Sequence, residues 1–192
     1  MAFIDKYFSY QLTISYYFYM KKLVVYFSRE GSNWVNDGVS NLDKGNTEIL
    51  AEFIKDKVGA DIFKITTNQR YTDDYYKCTE EAKNELKNNY RPEINNCPDN
   101  LDEYDIIYLG YPIWWGTFPV AVFSFLEKFN WNNKTIYPFC THEGSGISNS
   151  VKDIEKICIG ATVKPYFETR GFMCQNMQEY NLDEKLTSWL AI

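Results

Sequence analysis

The chain has 192 residues, enough for one domain with a substantial core. Its 20 Lys and Arg against 26 Asp and Glu give a net charge of −6, which disfavours nucleic acid, whose affinity is drawn from basic side chains, and suits a basic protein partner. Five cysteines without a C-x-x-C pair and a single histidine, His142, leave no ligand set for a metal and read as the reduced thiols of a cytoplasmic protein.

The first twenty residues, MAFIDKYFSYQLTISYYFYM, contain Asp5, Lys6 and Gln11 and are followed, rather than preceded, by the basic pair Lys21 and Lys22. They fit neither a signal peptide nor a membrane span. We read residues 1–20 as an N-terminal extension, with Met20 as the natural initiator ahead of KKLVVYFS; a strand or helix docked on the domain is the other reading.

From Lys22 onward, short apolar runs alternate with helical periodicities. LVVYFS (23–28) is a continuous apolar run, as expected of a strand buried on both faces. Ile49, Leu50, Phe53, Ile54 and Val58 then recur on one helical stripe, and DIFKIT (61–66) supplies a second strand. Tyr75, Cys78, Ala82 and Leu86 mark a second helix, residues 105–109 a third strand, and Pro119, Phe123 and Leu126 a third helix with proline in its tolerated first turn. KTIYPFC (134–140), the stripe Ile147, Val151 and Ile154, TVKPYFE (162–168) and finally Leu182, Leu186, Trp189 and Leu190 complete the alternation. Strict alternation of strand and helix predicts an α/β three-layer sandwich: a five-stranded parallel sheet with helices on both faces. Ligands of such sheets sit beyond the carboxyl ends of the strands, which places the chemistry in the loops after Ser28, Leu109 and Cys140.

The first of these loops ends in KGNTEIL, where Gly45, Asn46 and Thr47 precede a helical stripe. Unpaired amides at a helix start make a phosphate seat that needs no basic side chain, although the same residues would also serve as a plain helix cap. The second, GYPIWWGTFP, holds adjacent tryptophans whose side chains diverge, so that one ring serves the core and the other a flat ligand. Trp115, beside Gly116, is the ring expected on the ligand. In the third, THEGSGIS, Gly144 and Gly146 flank Ser145 and let amides approach a ligand, or simply form a flexible turn.

The ordered set YFSREGSN…GNTE, GYPIWWGTFP and THEGSG resembles the flavodoxin-like family of FMN proteins, in particular the bacterial flavodoxin-type proteins with a P-I-W-W-G loop. The resemblance spans residues 21–192 and implies the strand order 2-1-3-4-5. It implies FMN as cofactor, with Ser28, Arg29, Asn46 and Thr47 on the phosphate. Pro112, Ile113, Trp114, Trp115, Gly116, Thr141, His142, Glu143, Gly144 and Gly146 would then surround the ribityl chain and ring. One departure is the sixteen residues REGSNWVNDGVSNLDK between Ser28 and Gly45, where many flavodoxins have a short turn. Three roles are open for this loop: a cover over the flavin, a contact with the second subunit of a homodimer, or a surface insertion. Two functions are consistent with such a protein: NAD(P)H-dependent reduction of quinone-like acceptors, and one-electron shuttling between protein partners.

Overall fold

A computed structural model describes residues 20–191; apart from Met20, the expected extension lies outside them. Strand β1 (Lys22–Tyr26) leads into a hairpin of β2 (Gly31–Val35) and β3 (Gly38–Leu42), followed by helix α1 (Asn46–Val58). Strand β4 (Asp61–Lys64), helix α2 (Tyr75–Lys87), strand β5 (Ile106–Pro112) and helix α3 (Val120–Leu126) come next. The chain closes with β6 (Thr135–His142), α4 (Ser150–Ile157), β7 (Thr162–Val163), β8 (Phe167–Arg170), the single turn α5 (Gly171–Cys174) and α6 (Leu182–Leu190).

The alternating side chains of β1 show why its sequence is apolar throughout. Leu23, Val25 and Phe27 join a core with Ala121, Val122, Phe125 and Leu126 of α3 and Ile154 of α4. Val24 and Tyr26 join a second core with Leu50, Ala51 and Ile54 of α1 and Leu182, Leu186 and Trp189 of α6. The sheet is thus covered on both faces, as a parallel sheet requires. Asp74 caps α2 by accepting from the Lys77 amide at 2.8 Å, and α1 stops at Gly59, whose φ of 63° suits glycine.

Among the described residues, six parallel strands form the sheet in the order 4-1-5-6-7, with β8 also paired to β6. This differs from the expected five strands in the order 2-1-3-4-5, for two reasons. The sixteen-residue stretch expected as a loop forms the antiparallel hairpin β2–β3, a separate two-stranded sheet, so two strands intervene between β1 and β4. The expected last strand, 162–168, is divided at Pro165, which has no amide to donate to β6. β5 and β6 also run further than their apolar patterns, to Pro112 and His142, so the first residues expected in the loops still belong to the sheet.

Candidate functional site

The site lies beyond the carboxyl ends of β1, β5 and β6. A cleft of about 130 Å³ is lined by Ser28 and Arg29 after β1, Asn46 and Thr47 at the start of α1, Pro112 at the end of β5 with Ile113 and Trp114 after it, and Thr141 and His142 at the end of β6 with Glu143 after it. Ten of the fourteen residues singled out in the sequence therefore share one cavity. Trp115, Gly116, Gly144 and Gly146 do not line it.

The start of α1 is held tightly against the β1 end. A β carbon on Gly45 would lie 2.2 Å from Ser28 Oγ and 2.6 Å from the Arg29 carbonyl oxygen, so only glycine permits this approach. The Glu48 amide donates to Ser28 Oγ at 3.1 Å, and the N-cap residue itself, Gly45, has no side chain to offer. The amides of Asn46 and Thr47 come first in the helix and have no intrahelical acceptor. Thr47 is 1% exposed, and its Oγ1 lies 2.8 Å from Thr141 Oγ1, which ties α1 to the end of β6. Asn46 Oδ1 accepts from Gln175 Nε2 at 2.6 Å. The Arg29 guanidinium clasps the backbone, donating to the carbonyls of Ser32, of Thr72 at 2.7 Å and of Asp73 at 3.2 Å.

The two tryptophans part as their adjacent positions demand, through a tight turn in which Trp114 and Thr117 bond each other's backbone. Trp114 packs edge-on against Phe27 and Tyr71, with ring centroids 5.5 and 5.1 Å away, at the margin of the first core. Trp115 is 50% exposed and turns to α2: its indole N–H donates to the Thr79 carbonyl at 2.8 Å, and the Lys83 ammonium lies 4.8 Å from its ring centroid. Both tryptophans wall a second cleft of about 330 Å³, which also has Tyr75, Cys78 and Thr79 of α2 in its lining. It shares Arg29, Asn33, Tyr75, Ile113 and Trp114 with the first, so the two are continuous along one wall.

Three lining residues escaped the sequence reading, Asn33, Tyr75 and Gly171, while Trp34 belongs to the long first loop for which a cover over the flavin is one of the readings. Asn33 and Trp34 arrive on the hairpin, where Trp34 meets the Tyr75 ring at 5.9 Å. The signal for that hairpin was in the sequence: Trp-Val, then Asn36-Asp37, then Gly-Val, with Asn36 left-handed at φ 55°. No signal marked Tyr75 or Gly171, which reach the site from α2 and from the turn after β8.

In the third loop, His142 Nδ1 accepts from the Gly144 amide at 3.0 Å, and burial pushes the imidazole pKa down, so His142 is neutral near pH 7. Burial raises the Glu143 carboxyl, opposed by Arg170 and by the nearby amides of Phe172, Asn36 and Gly171. None of these amides reaches hydrogen-bonding geometry: among the described residues, both carboxylate oxygens, like Arg170 Nε, are buried without a partner. The five cysteines are all free thiols.

These features fit a flat ligand with an anionic tail. Helix-start amides and the hydroxyls of Ser28, Thr47 and Thr141 offer neutral donors at one end, and Trp34, Tyr75 and Trp114 offer aromatic walls at the other. Orphaned Glu143 is the one group that, ionised, opposes an anion.

The Flavodoxin family description matches residues 21–189. A flavoprotein structure from Bacteroides eggerthii is 28% identical, covering 83% of this chain and 96% of that one with a TM-score of 0.63. One from Bacteroides uniformis is 26% identical, covering 84% and 97% with a TM-score of 0.66. A flavoprotein from Lactobacillus acidophilus in complex with FMN, 21% identical over 78% of this chain and 93% of that one with a TM-score of 0.55, shares the fold. No curated protein matches the chain. The family match covers the sheet, the helices on its two faces and all three loops at the cleft, and it supports FMN as the cofactor: the chain belongs to the flavodoxin family.

Proposed function

We propose that this chain binds FMN and reduces quinone-like acceptors at the expense of NAD(P)H. The observation that carries this reading is the second cleft, about 330 Å³, which adjoins the first along Ile113 and Trp114 and has room for a flat organic molecule beside the cofactor.

Bound FMN supplies the redox chemistry. The amides of Asn46 and Thr47, with the hydroxyls of Ser28 and Thr47, hold its phosphate. Pro112, Ile113 and Trp114 on one side and Thr141 and His142 on the other border the ribityl chain and ring, while Trp34 and Tyr75 exclude water from the hairpin side. Arg29 keeps the hairpin and residues 72–73 in place by its bonds to their carbonyls. Tyr75, Trp114 and Trp115 offer stacking surfaces to a planar acceptor or a nicotinamide.

A net charge of −6 favours a second reading, a one-electron shuttle that docks on basic protein surfaces. Steady-state reduction with NADH and NADPH separates the two. Reduction of the bound flavin well above the rate for free FMN supports the reductase; a rate no higher than that of free FMN leaves the shuttle.

A further inference from the structure

Glu143 stands at the end of β6 in the same cleft as Ser28, Asn46 and Thr47. Its position opposite the phosphate seat is marked by Gly171, where a β carbon would lie 2.5 Å from Asn46 Nδ2 and 2.6 Å from Glu143 Oε1. The carboxylate and the helix-start asparagine thus meet across one glycine. Among the described residues, neither of its carboxylate oxygens, both buried, has a partner.

Among the described residues, no charge neutralises it by direct contact. Arg170 of β8 reaches the Glu143 carbonyl oxygen at 3.4 Å, not the carboxylate, and its Nε is itself unpartnered. On its own strand, His142 is neutral near pH 7 for the reason given above. Tyr75 of α2 and Cys174 of α5 feel the Glu143 charge, and both have raised pKa values, mainly through burial, so they stay protonated and neutral. Glu168 of β8 bears on His142, and its carboxylate lies beside Gly146. Arg29 is engaged with backbone carbonyls, and the Asn36 amide of the hairpin favours the ionised carboxyl.

A phosphate dianion brought beside an ionised, dehydrated carboxylate would face a strong repulsion. Burial already biases this carboxyl toward its neutral form. Once protonated, it carries an O–H that donates to a phosphate oxygen, and the repulsion becomes a charge-assisted hydrogen bond. We propose that Glu143 is a hydrogen-bond donor to the FMN phosphate: FMN binds with the Glu143 carboxyl protonated, and binding takes one proton from solution. This rests on the reading of the α1 start as the phosphate seat.

Calorimetric titration of the flavin-free protein with FMN and with riboflavin, in buffers of different ionisation enthalpy, counts that proton directly. The range is about pH 7 to 9, where a phosphate monoester with a second pKa near 6 is already a dianion. FMN affinity is expected to fall by up to about tenfold per pH unit, with uptake approaching about one proton per FMN and none with riboflavin. Glu143→Gln, which keeps the shape and cannot ionise, should lose the uptake and bind FMN about tenfold more tightly than wild type near pH 8.5. The wild-type proton count decides the matter even if that variant folds poorly. Tight FMN binding without proton uptake, the same uptake with riboflavin, or uptake retained in Glu143→Gln overturns the role of Glu143. FMN binding no tighter than riboflavin overturns instead the phosphate seat beneath it.

Discussion

Thr47 Oγ1 and Thr141 Oγ1 lie 2.8 Å apart, both side chains buried, and this hydrogen bond ties the first turn of α1 to the last residues of β6. One hydroxyl must donate to the other, so the pair keeps one proton for an outside acceptor. The two residues face the cleft as a unit, and they should fail as one.

Thr47→Val leaves the Thr141 hydroxyl buried without its partner and removes a donor from the phosphate seat. It should lower the stability of the flavin-free protein by about 1 to 3 kcal/mol, as should Thr141→Val. The double variant should cost clearly less than the sum, since replacing both members of a buried pair removes the orphan. Urea unfolding of the three variants reads this out; additive losses would mean the hydroxyls do not interact. Thr47→Val should also weaken FMN by roughly tenfold and leave riboflavin nearly unchanged.

Trp115 adopts a left-handed backbone at φ 51°, a conformation an L side chain enters at a cost. Trp115→Gly should therefore be more stable than Trp115→Ala by about 1 kcal/mol, the reverse of the usual order. Both should raise the acceptor KM more than they weaken FMN, because this ring walls the second cleft rather than the first. Trp114→Ala, which strips the contacts with Phe27 and Tyr71, should cost about 3 kcal/mol of stability. Equal effects of alanine at both positions on stability and on FMN would contradict the division.

His142 has a folded-state pKa depressed below the ordinary 6.5, chiefly by burial. The unfolded chain then binds more protons than the folded one as pH falls through 6.5, so the flavin-free protein should lose stability on that side and regain it above. His142→Gln removes the titrating group, and its stability should be flatter from about pH 7 down to about pH 5.5. Unfolding midpoints across that range test it, and a variant as acid-sensitive as wild type there would assign the slope to other groups.

The apolar runs made the sheet legible because β1, β5 and β6 are buried on both faces, and that leaves a continuous signature. Stretch 29–44 was not legible by the same logic. Its strands β2 and β3 are only partly buried and pair only with each other, so they carry no apolar alternation, and only the Asn36-Asp37 turn betrays them. Trp114 and Glu143 were found because each follows a strand, and Thr47 because it opens a helical stripe. Tyr75 and Gly171 were not, because their place at the cleft depends on how α2 and β8 pack, which no local pattern encodes. The pairing of Trp115 with Thr79 and Lys83 of α2 is of the same kind.

The measurement that bears most directly on the account is the affinity of the flavin-free protein for FMN against riboflavin, followed by flavin fluorescence near pH 7. With charge-assisted bonds from the α1 start and the Ser28 and Thr47 hydroxyls, each contributing about 1.5 to 3 kcal/mol, FMN should bind at least about a hundredfold more tightly. Equal affinity for the two flavins would contradict the phosphate seat and the orientation of the cofactor built upon it.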